Sequence, residues 1–379
     1  MDDALEPHEV EIVARAQAWA EGTVAPMAEQ WERERRFASE AFASAAAAGL
    51  TGLLAPEAVG GSALGPVALA RIMEVVAAVD LGAAFSLVVH NNLVGALARR
   101  GSPVLQDRYL ADMIAGRQLG AFLLTEPGVG SDAAAITTRA TPTAEGWVLD
   151  GAKAWVTNGA AAQVLSVYAN TDPALGHRGI AAFLVEADTL GVERADSYEL
   201  FGGHSMGTAG FTFNGVELAP ETLFVPPPEG FRAALEGIDL ARILVGAMCC
   251  GMMTTGLTTA SGYVRQRMAF GGTLADLQGV RFMLADVATD LEASRLLTFR
   301  AARRLQEGAA DAVAAAHAKK FATRAAERRL ADCMQVMGAA GARRDHPLPR
   351  HLAGARLTQY MDGATEIQDV VIARSLLGS

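Results

Sequence analysis

Residues 122–132 have the sequence Phe-Leu-Leu-Thr-Glu-Pro-Gly-Val-Gly-Ser-Asp, and this stretch decides the fold. Within it, residues 128–133 match GxGxxA, the pattern of a dinucleotide-binding turn, which needs a strand before it and a helix opening at it. A strand-like run does precede the pattern. However, Pro127 interrupts the passage, and a β-branched run at 135–141 follows where the helix should begin. The stretch therefore disfavours a Rossmann turn and a nicotinamide-linked dehydrogenase.

A second stretch bounded by glycines, Gly-Ala-Lys-Ala-Trp-Val-Thr-Asn-Gly, occupies residues 151–159. In the first stretch, Gly128 and Gly130 let the backbone approach a flat or charged ligand and expose N–H donors. Thr125 and Ser131 add hydroxyl donors. Two β segments that end in polar donors near a glycine can form one wall, and an isoalloxazine ring needs such donors and an indole against its face. Two ordinary hairpin edges would explain either stretch alone.

Together the two stretches resemble the signature of the acyl-CoA dehydrogenase family in spacing and residue types, as TEPGVGSD at 125–132 and GAKAWVTNG at 151–159. The resemblance extends over nearly the whole chain and implies an FAD enzyme. It implies that the two stretches contact FAD through Phe122, Leu124, Thr125, Gly130, Ser131, Trp155 and Thr157.

Later segments also resemble FAD-contacting parts of the family. The spacing of Arg267, Phe270 and Gln278 matches RxxFGxxxxxxQ, whose residues in this family typically contact the FAD of the neighbouring subunit. Without that spacing, a surface salt bridge would explain Arg267 and core packing would explain Phe270. The resemblance assigns further cofactor contacts to Gln335 and Gly338, at the adenine end, and to Glu366.

The substrate side of the resemblance lies in two segments. Residues 238–242 resemble the mouth of the family's acyl pocket, where Arg242 would lie near the CoA side of the thioester. Some members carry their catalytic Glu one residue earlier, but Ala241 excludes that version here. Residues 360–368, YMDGATEIQ, resemble (Y)EGTxxIQ and put Asp362 in the position of the catalytic base. The implied substrate-binding residues are Ser131, Arg242 and Gly363.

In the family, a carboxylate removes an α-proton from the thioester while a hydride leaves the β-carbon for flavin N5. Hydrogen bonds to the thioester carbonyl stabilise the developing enolate, and a dry pocket raises the basicity of the carboxylate. Asp362 is one methylene shorter than the usual Glu, about 1.5 Å of reach, and small misplacements cost orders of magnitude in rate. An Asp before Gly-Ala-Thr-Glu also caps a helix well. Helix capping is therefore the alternative role of Asp362.

The 379 residues exceed what one hydrophobic core serves, so we expect two or three structural regions. Helical patterns cover residues 1–118, short β-forming runs cover 119–225, and helical patterns return over 226–379. The sequence therefore predicts a mostly α chain with a central β domain. The resemblance implies an N-terminal helical domain, a middle β-barrel or sandwich, and a C-terminal four-helix bundle.

Local patterns predict particular elements. Residues 41–48 favour a helix closed by the glycine that follows. In the middle region, Asp150-Gly151 predicts a turn between strands at 147–149 and 154–157, and the lack of long helical patterns favours antiparallel pairing. The run Pro226-Pro227-Pro228 ends the β region.

Composition excludes several classes of protein. The formal net charge is −10 without a Lys/Arg block, which disfavours nucleic acid and anionic membranes as partners. No run of 18 apolar residues predicts a membrane-inserted helix, and the acidic N-terminus has no signal core. Three cysteines without a CxxC pair fit a reducing compartment, so we expect a cytoplasmic protein. Seven His without HExxH give a metal site little support.

The function expected from the resemblance is dehydrogenation of an acyl-CoA or acyl-carrier thioester by a homo-oligomer, a dimer of dimers, with an electron-transferring flavoprotein as acceptor. An oxidase or monooxygenase of the same fold is an alternative, because nitroalkane oxidases resemble the family and use Asp as base. A catalytically weak flavin-binding subunit of a hetero-oligomer is another, since Ala241 and a misplaced Asp362 would produce one.

Overall fold

The computed structural model describes residues 5–309 and 311–378, and its N-terminal part is helical. The helices are α1 (Pro7–Trp19), α2 (Ala25–Glu34), α3 (Ser39–Ala45), α4 (Pro66–Ala77), α5 (Leu81–Arg100) and α6 (Pro103–Ile114). Short polar side chains cap two of them: Asp80 accepts from the backbone N–H of Ala83 at the start of α5, and Ser102 accepts from Leu105 at the start of α6. The helix predicted at 41–48 is α3, although it ends at Ala45.

The central region is a mixed β-sheet. Its strands are β1 (Gly120–Leu123), β2 (Arg139–Pro142), β3 (Trp147–Val156), β4 (Val164–Asn170), β5 (Ile180–Glu186), β6 (Val192–Arg194), β7 (Ala209–Leu218) and β8 (Leu223–Val225). They pair in the order β6-β7-β3-β2-β4-β5-β8, and β1 pairs with β4. The prediction of antiparallel pairing is wrong for two pairs, because β1 and β2 both run parallel to β4. Helix α5 packs against β1 and so covers the sheet at this strand.

The prediction of a turn at Asp150-Gly151 is also wrong. These residues lie inside β3, which runs unbroken for 10 residues. The register with β7 shifts between Leu149 and Gly151, so the glycine forms a bulge rather than a turn. Gly151 has φ of +144°, and a Cβ there would lie 2.6 Å from Oγ1 of Thr138. Turns and bulges both favour glycine, so the sequence pattern does not distinguish a turn from a bulge at this position.

The C-terminal region is a helical bundle. Its helices are α7 (Gly230–Gln266), α8 (Gln278–Gln306), α9 (Ala312–Met337), α10 (Leu348–Thr358) and α11 (Thr365–Leu377), with a small hairpin of β9 (Met268–Ala269) and β10 (Gly272–Thr273) between α7 and α8. Helix α7 packs on α8, α9 and α4, and α10 and α11 both pack on α9. Two helices, α5 and α7, are long and apolar enough to span a membrane, but 83% and 78% of their apolar windows are buried inside the protein. They are the core helices of this fold.

Contacts at two places join the central sheet to the helices where the site lies. Asn158, just after β3, donates from Nδ2 to the carbonyl of Ser86 in α5 at 3.1 Å. The loop after β6 brings Gly202 against Ala353 of α10 and Gly203 against Leu357. Helix α10 leads directly into the segment that carries Asp362. The end of β3 and the predicted base are therefore held at one junction between sheet and helices.

Candidate active site

The stretches 122–132 and 151–159 adjoin, as the sequence predicts for a single wall. The backbone N–H of Ala154 in β3 donates to the carbonyl of Thr125 at 2.9 Å. The residues just before these two are also bonded, because Nζ of Lys153 donates to the carbonyl of Leu124 at 2.9 Å. The segment after β1 is thereby fixed along the end of β3. We call the surface formed by residues 122–131 and 155–157 the flavin wall.

Behind the wall lies a buried ion pair that the sequence analysis did not single out. Nζ of Lys153 lies 2.9 Å from Oε1 of Glu126, and the two side chains are 0% and 3% exposed. Glu126 also accepts hydrogen bonds from the backbone and hydroxyl of Thr137 and from the backbone of Thr138. Burial opposes ionisation of Glu126, but Lys153 and these donors outweigh it and lower the pKa of the carboxyl to about 2. The pair therefore holds the wall segment onto the sheet.

The outer face of the wall is open. A Cβ added at Gly128 or Gly130 would meet nothing within 4 Å. Trp155 has the left-handed φ of +59° and its side chain is 59% exposed, with the ring of Tyr198 4.6 Å away. An indole held outward at the cost of backbone strain indicates a ligand face. Open backbone donors beside an exposed indole fit a flat, hydrogen-bonding cofactor such as FAD.

The other predicted wall residues lie in the same place with different exposure. Leu124 is buried, whereas Ser131 is exposed. Phe122 and Thr157 are half-buried, and the ring of Phe122 packs against that of Tyr168, with centroids 5.0 Å apart. The predicted roles of these residues in cofactor binding stay predictions.

Asp362 lies in the turn between α10 and α11 and does not cap α11. That helix has Ala364 at its N-cap without a side-chain cap. Oδ2 of Asp362 is buried and, within residues 5–309 and 311–378, has no hydrogen-bond partner. Burial raises the pKa of this carboxyl to about 6, while Lys319 and Arg242 act in the opposite direction. The capping alternative is therefore wrong, and the carboxyl keeps a free, basic oxygen.

Three donors hold the backbone of this turn. Nε of Arg242 in α7 donates to the carbonyl of Asp362 at 3.0 Å, and its NH1 group donates to Asp239 at 2.8 Å. The next carbonyl, that of Gly363, accepts from Nζ of Lys319 at 2.8 Å and from Nε2 of Gln368 at 3.0 Å. Arg242 and Gly363, both predicted from the sequence, are thus brought to Asp362.

Sequence reasoning missed Lys319. A signal was present, because Lys319 lies on the apolar stripe of α9 with Ala315, Ala322 and Ala326. The adjacent Lys320, which forms a surface ion pair with Asp369, makes that signal ambiguous. Only the packing of α9 on the Asp362 turn identifies which lysine belongs to the site.

The remaining predicted cofactor residues lie in the C-terminal helical region, outside the two stretches that form the wall. Arg267 lies just beyond the end of α7, 25 residues after Arg242. At the rise of an α-helix, 25 residues span roughly 37 Å. Phe270 is 92% exposed, so its own chain does not bury it as core. All members of this distant group are solvent-facing: Arg267, Phe270, Gln278, Gln335 and Gly338. Glu366 is exposed on the first turn of α11.

An open wall with an exposed indole, in a chain that also carries a buried basic carboxyl, fits the class of flavoprotein oxidoreductases. Profiles of three domains match the chain: the acyl-CoA dehydrogenase N-terminal domain over residues 6–117, the middle domain over 121–216 and the C-terminal domain over 228–377. The chain belongs to the acyl-CoA dehydrogenase family.

Individual relatives agree with this. Human mitochondrial short-chain specific acyl-CoA dehydrogenase is 34% identical over 375 residues, which covers 99% of this chain and 91% of the human protein. The structure of butyryl-CoA dehydrogenase from Megasphaera elsdenii superposes with a TM-score of 0.95 at 31% identity over 100% of both chains. That of PigA with FAD and proline has a TM-score of 0.94 at 27% identity over 99% of both. The chain is an FAD-dependent acyl-CoA dehydrogenase by family.

Proposed function

We propose that this protein catalyses α,β-dehydrogenation of an acyl thioester, with Asp362 as the base that removes the α-proton. The observation that carries the proposal is the buried Oδ2 of Asp362, which makes no hydrogen bond in the described part of the chain. A carboxylate oxygen that accepts no hydrogen bond is free to take a proton from a substrate. FAD, when bound at the flavin wall, supplies the acceptor for the hydride.

The charge and backbone of the turn support this role. Because burial raises the pKa of Asp362 to about 6, the carboxyl is ionised at neutral pH but more basic than an exposed one. The carbonyls of Asp362 and Gly363 are both engaged by donors from neighbouring helices. The N–H of Asp362 makes no hydrogen bond within the described residues. We infer that it donates to the thioester carbonyl and stabilises the developing enolate.

A groove near the start of α7 supports a phosphate-bearing carrier for the acyl group. It is open to solvent, has a volume of about 470 Å³ and is lined by Ala134, His177, Arg178, Pro228, Phe231, Arg232 and Leu235. Two guanidinium groups suit phosphate, and an aromatic ring suits a base or an apolar arm. Arg232 and Arg242 are 10 residues apart on one helix, roughly 15 Å. We infer that a pantetheine arm runs along α7 from this groove to Asp362.

Replacing both groove arginines tests this placement. We expect Arg178→Gln/Arg232→Gln to raise KM for an acyl-CoA about tenfold, which corresponds to roughly 1.4 kcal/mol of lost binding. The value of kcat should change little, and the KM for the matching acyl-pantetheine, which lacks the phosphates, should not change. Arg117→Gln removes an exposed arginine paired with Asp112 and is the control. An equal rise in KM for both substrates would place the carrier elsewhere.

The finer properties of the enzyme are inferred from the family. We infer a short acyl chain, because butyryl-CoA and short-chain dehydrogenases are among the most similar proteins. We also infer an electron-transferring flavoprotein as acceptor and a cytoplasmic location. A homo-oligomer, arranged as a dimer of dimers, would explain the exposure of Phe270 and the separation of Arg267 from Arg242, since a second copy would bring those residues to the FAD.

An anaerobic absorbance titration of the purified protein with a panel of acyl-CoAs, starting with butyryl-CoA, tests the proposed function. We expect the flavin band to bleach with at least one member of the panel. An intact band with every acyl-CoA would contradict the thioester substrate and leave the flavoprotein fold in place.

An oxidase of the same fold is the second candidate, because the base is Asp as in nitroalkane oxidases. Mixing the reduced enzyme with oxygen separates the two. Slow reoxidation by oxygen and fast reoxidation by an electron-transferring flavoprotein would support the dehydrogenase, and the reverse would support the oxidase. A catalytically weak subunit is disfavoured by a base turn that is held by three donors.

A further inference from the structure

Lys319 is a buried lysine that the reaction as described above does not use. Its exposed fraction is 0%, and it lies on a face of α9 otherwise formed by small apolar side chains, among them Ala315, Ala318 and Ala322. Lysine is almost never fully buried unless it is paired, because removing its charge from water costs free energy. The burial of this ammonium therefore has to be offset by a specific interaction.

That interaction is with the turn that carries the base. Nζ of Lys319 lies 2.8 Å from the carbonyl oxygen of Gly363. The same carbonyl accepts from Gln368 of α11, and the preceding carbonyl, that of Asp362, accepts from Arg242 of α7. Donors from three helices thus converge on the carbonyls of two successive residues and fix the direction of both.

The backbone of the turn needs such a constraint. Asp362 has φ of +49° and Gly363 has φ of +91°, so two successive residues are in the left-handed region. A residue with a Cβ is unfavourable there and persists only where its surroundings determine the conformation. The conformation aims the short side chain of Asp362 into the site. With one methylene less than Glu, that side chain has little freedom to correct an error in the backbone.

Charged and titratable groups from each neighbouring element face Lys319. They are Asp362 in the turn, Arg242 and Cys249 on α7, and Glu366 on α11. Burial lowers the pKa of Lys319 to about 8, and Asp362 counteracts this, so the ammonium is protonated at neutral pH. In turn, Lys319 opposes the rise in the pKa of Asp362 that burial produces.

We propose that Lys319 is a positioning residue of the active site, which clamps the Asp362–Gly363 turn through the Gly363 carbonyl and provides a buried positive charge beside the base. This rests on the proposed function, in which Asp362 is the base. Lys319 does not touch substrate or transfer a proton. It acts through Asp362, by fixing where the carboxylate points and by favouring its ionised form.

Two variants separate the clamp from the charge. Lys319→Met keeps the length of the side chain and removes both the donor and the charge. Lys319→Gln keeps a donor without the charge. The measurement is the rate of flavin reduction by an acyl-CoA in anaerobic rapid mixing, between pH 5 and 9, together with FAD content and melting temperature.

We expect Lys319→Met to retain FAD and to reduce it about tenfold more slowly at pH 7. Its rate should rise with pH around a midpoint about one unit above that of the native enzyme, because a carboxylate that loses a neighbouring cation holds its proton to a higher pH. Lys319→Gln should show the same shift with a smaller loss of rate. Lys320→Met, which removes the neighbouring lysine of α9 that pairs with Asp369 of α11, should match the native enzyme.

The pH midpoint decides the outcome. A midpoint at the native pH in both Lys319 variants would overturn the proposal even if the rate falls, because a purely structural lysine would lower the rate without moving the midpoint. If Lys319→Met does not fold, Lys319→Gln alone decides by the same criterion.

Failure of this proposal and failure of the base assignment give different results. If Asp362→Asn reduces its flavin normally, the base assignment is wrong and the role of Lys319 falls with it. If Asp362→Asn is inactive while the Lys319 variants keep the native midpoint, only the positioning role is wrong.

Discussion

Replacing Asp362 by Asn is expected to slow the reduction of bound FAD by acyl-CoA by a factor of about 10²–10⁴, the usual contribution of a general base. The amide has nearly the same shape as the carboxyl, so the turn and its hydrogen bonds through the Asp362 and Gly363 carbonyls should persist. FAD content should therefore be unchanged. Anaerobic rapid mixing with the best acyl-CoA, followed at the flavin band, measures the effect.

The native enzyme should also show this base in its pH dependence. A base with a pKa of about 6 is ionised above that pH, so the rate of reduction should fall as the pH falls through about 6. In Asp362→Asn this limb should disappear. Asp369→Asn, which changes a partly exposed carboxylate of α11 that pairs with Lys320, is the matched control and should behave as the native enzyme. Normal turnover by Asp362→Asn would exclude Asp362 as the base.

The order of the structural regions was accessible from the sequence because each region has its own hydrophobic period. Helices α7 and α9 have long apolar stripes with a helical period, whereas the region between Leu119 and Val225 has short β-forming runs. Strand pairing was not accessible, because the partner of a strand depends on contacts between distant segments. The sequence of β1 does not show whether this strand runs parallel or antiparallel to β4, and the sequence around Gly151 fits a turn as well as a bulge.

The candidate site likewise contains some residues that the sequence predicts and others that it does not. Residues in short, spaced motifs, such as Asp362 and Arg242, could be assigned to the candidate site by resemblance. Residues that hold those segments in place could not. Glu126 and Lys153 are 27 positions apart, and Lys319 and Gly363 are 44 apart. Each looks like an ordinary charged or small residue until packing brings it to its partner. For residues that hold other segments in place, the sequence offers one signal, which is a charged residue among the apolar residues of one helix face.

The buried Glu126–Lys153 pair has the largest expected effect on stability. Lys153→Met should destabilise the protein by about 3–5 kcal/mol, the usual cost of removing one member of a buried ion pair, because it leaves the charge of Glu126 without its counter-ion. The carbonyl of Leu124 also loses its hydrogen bond from Nζ. The wall segment should then separate from β3, so FAD retention should fall along with stability. Urea unfolding and the ratio of FAD to protein measure the two effects.

A second variant tests whether the charge left on Glu126 is the cause. In Glu126→Gln/Lys153→Met no charge remains in the pair, so a substantial part of the lost stability should return. Arg117→Met, which breaks an exposed pair with Asp112, should cost no more than about 1 kcal/mol. If Lys153→Met were as stable as Arg117→Met, the pair would not be what holds the wall. If stability fell but FAD retention did not, the Thr137 and Thr138 bonds to Glu126 would suffice to place the wall without the lysine.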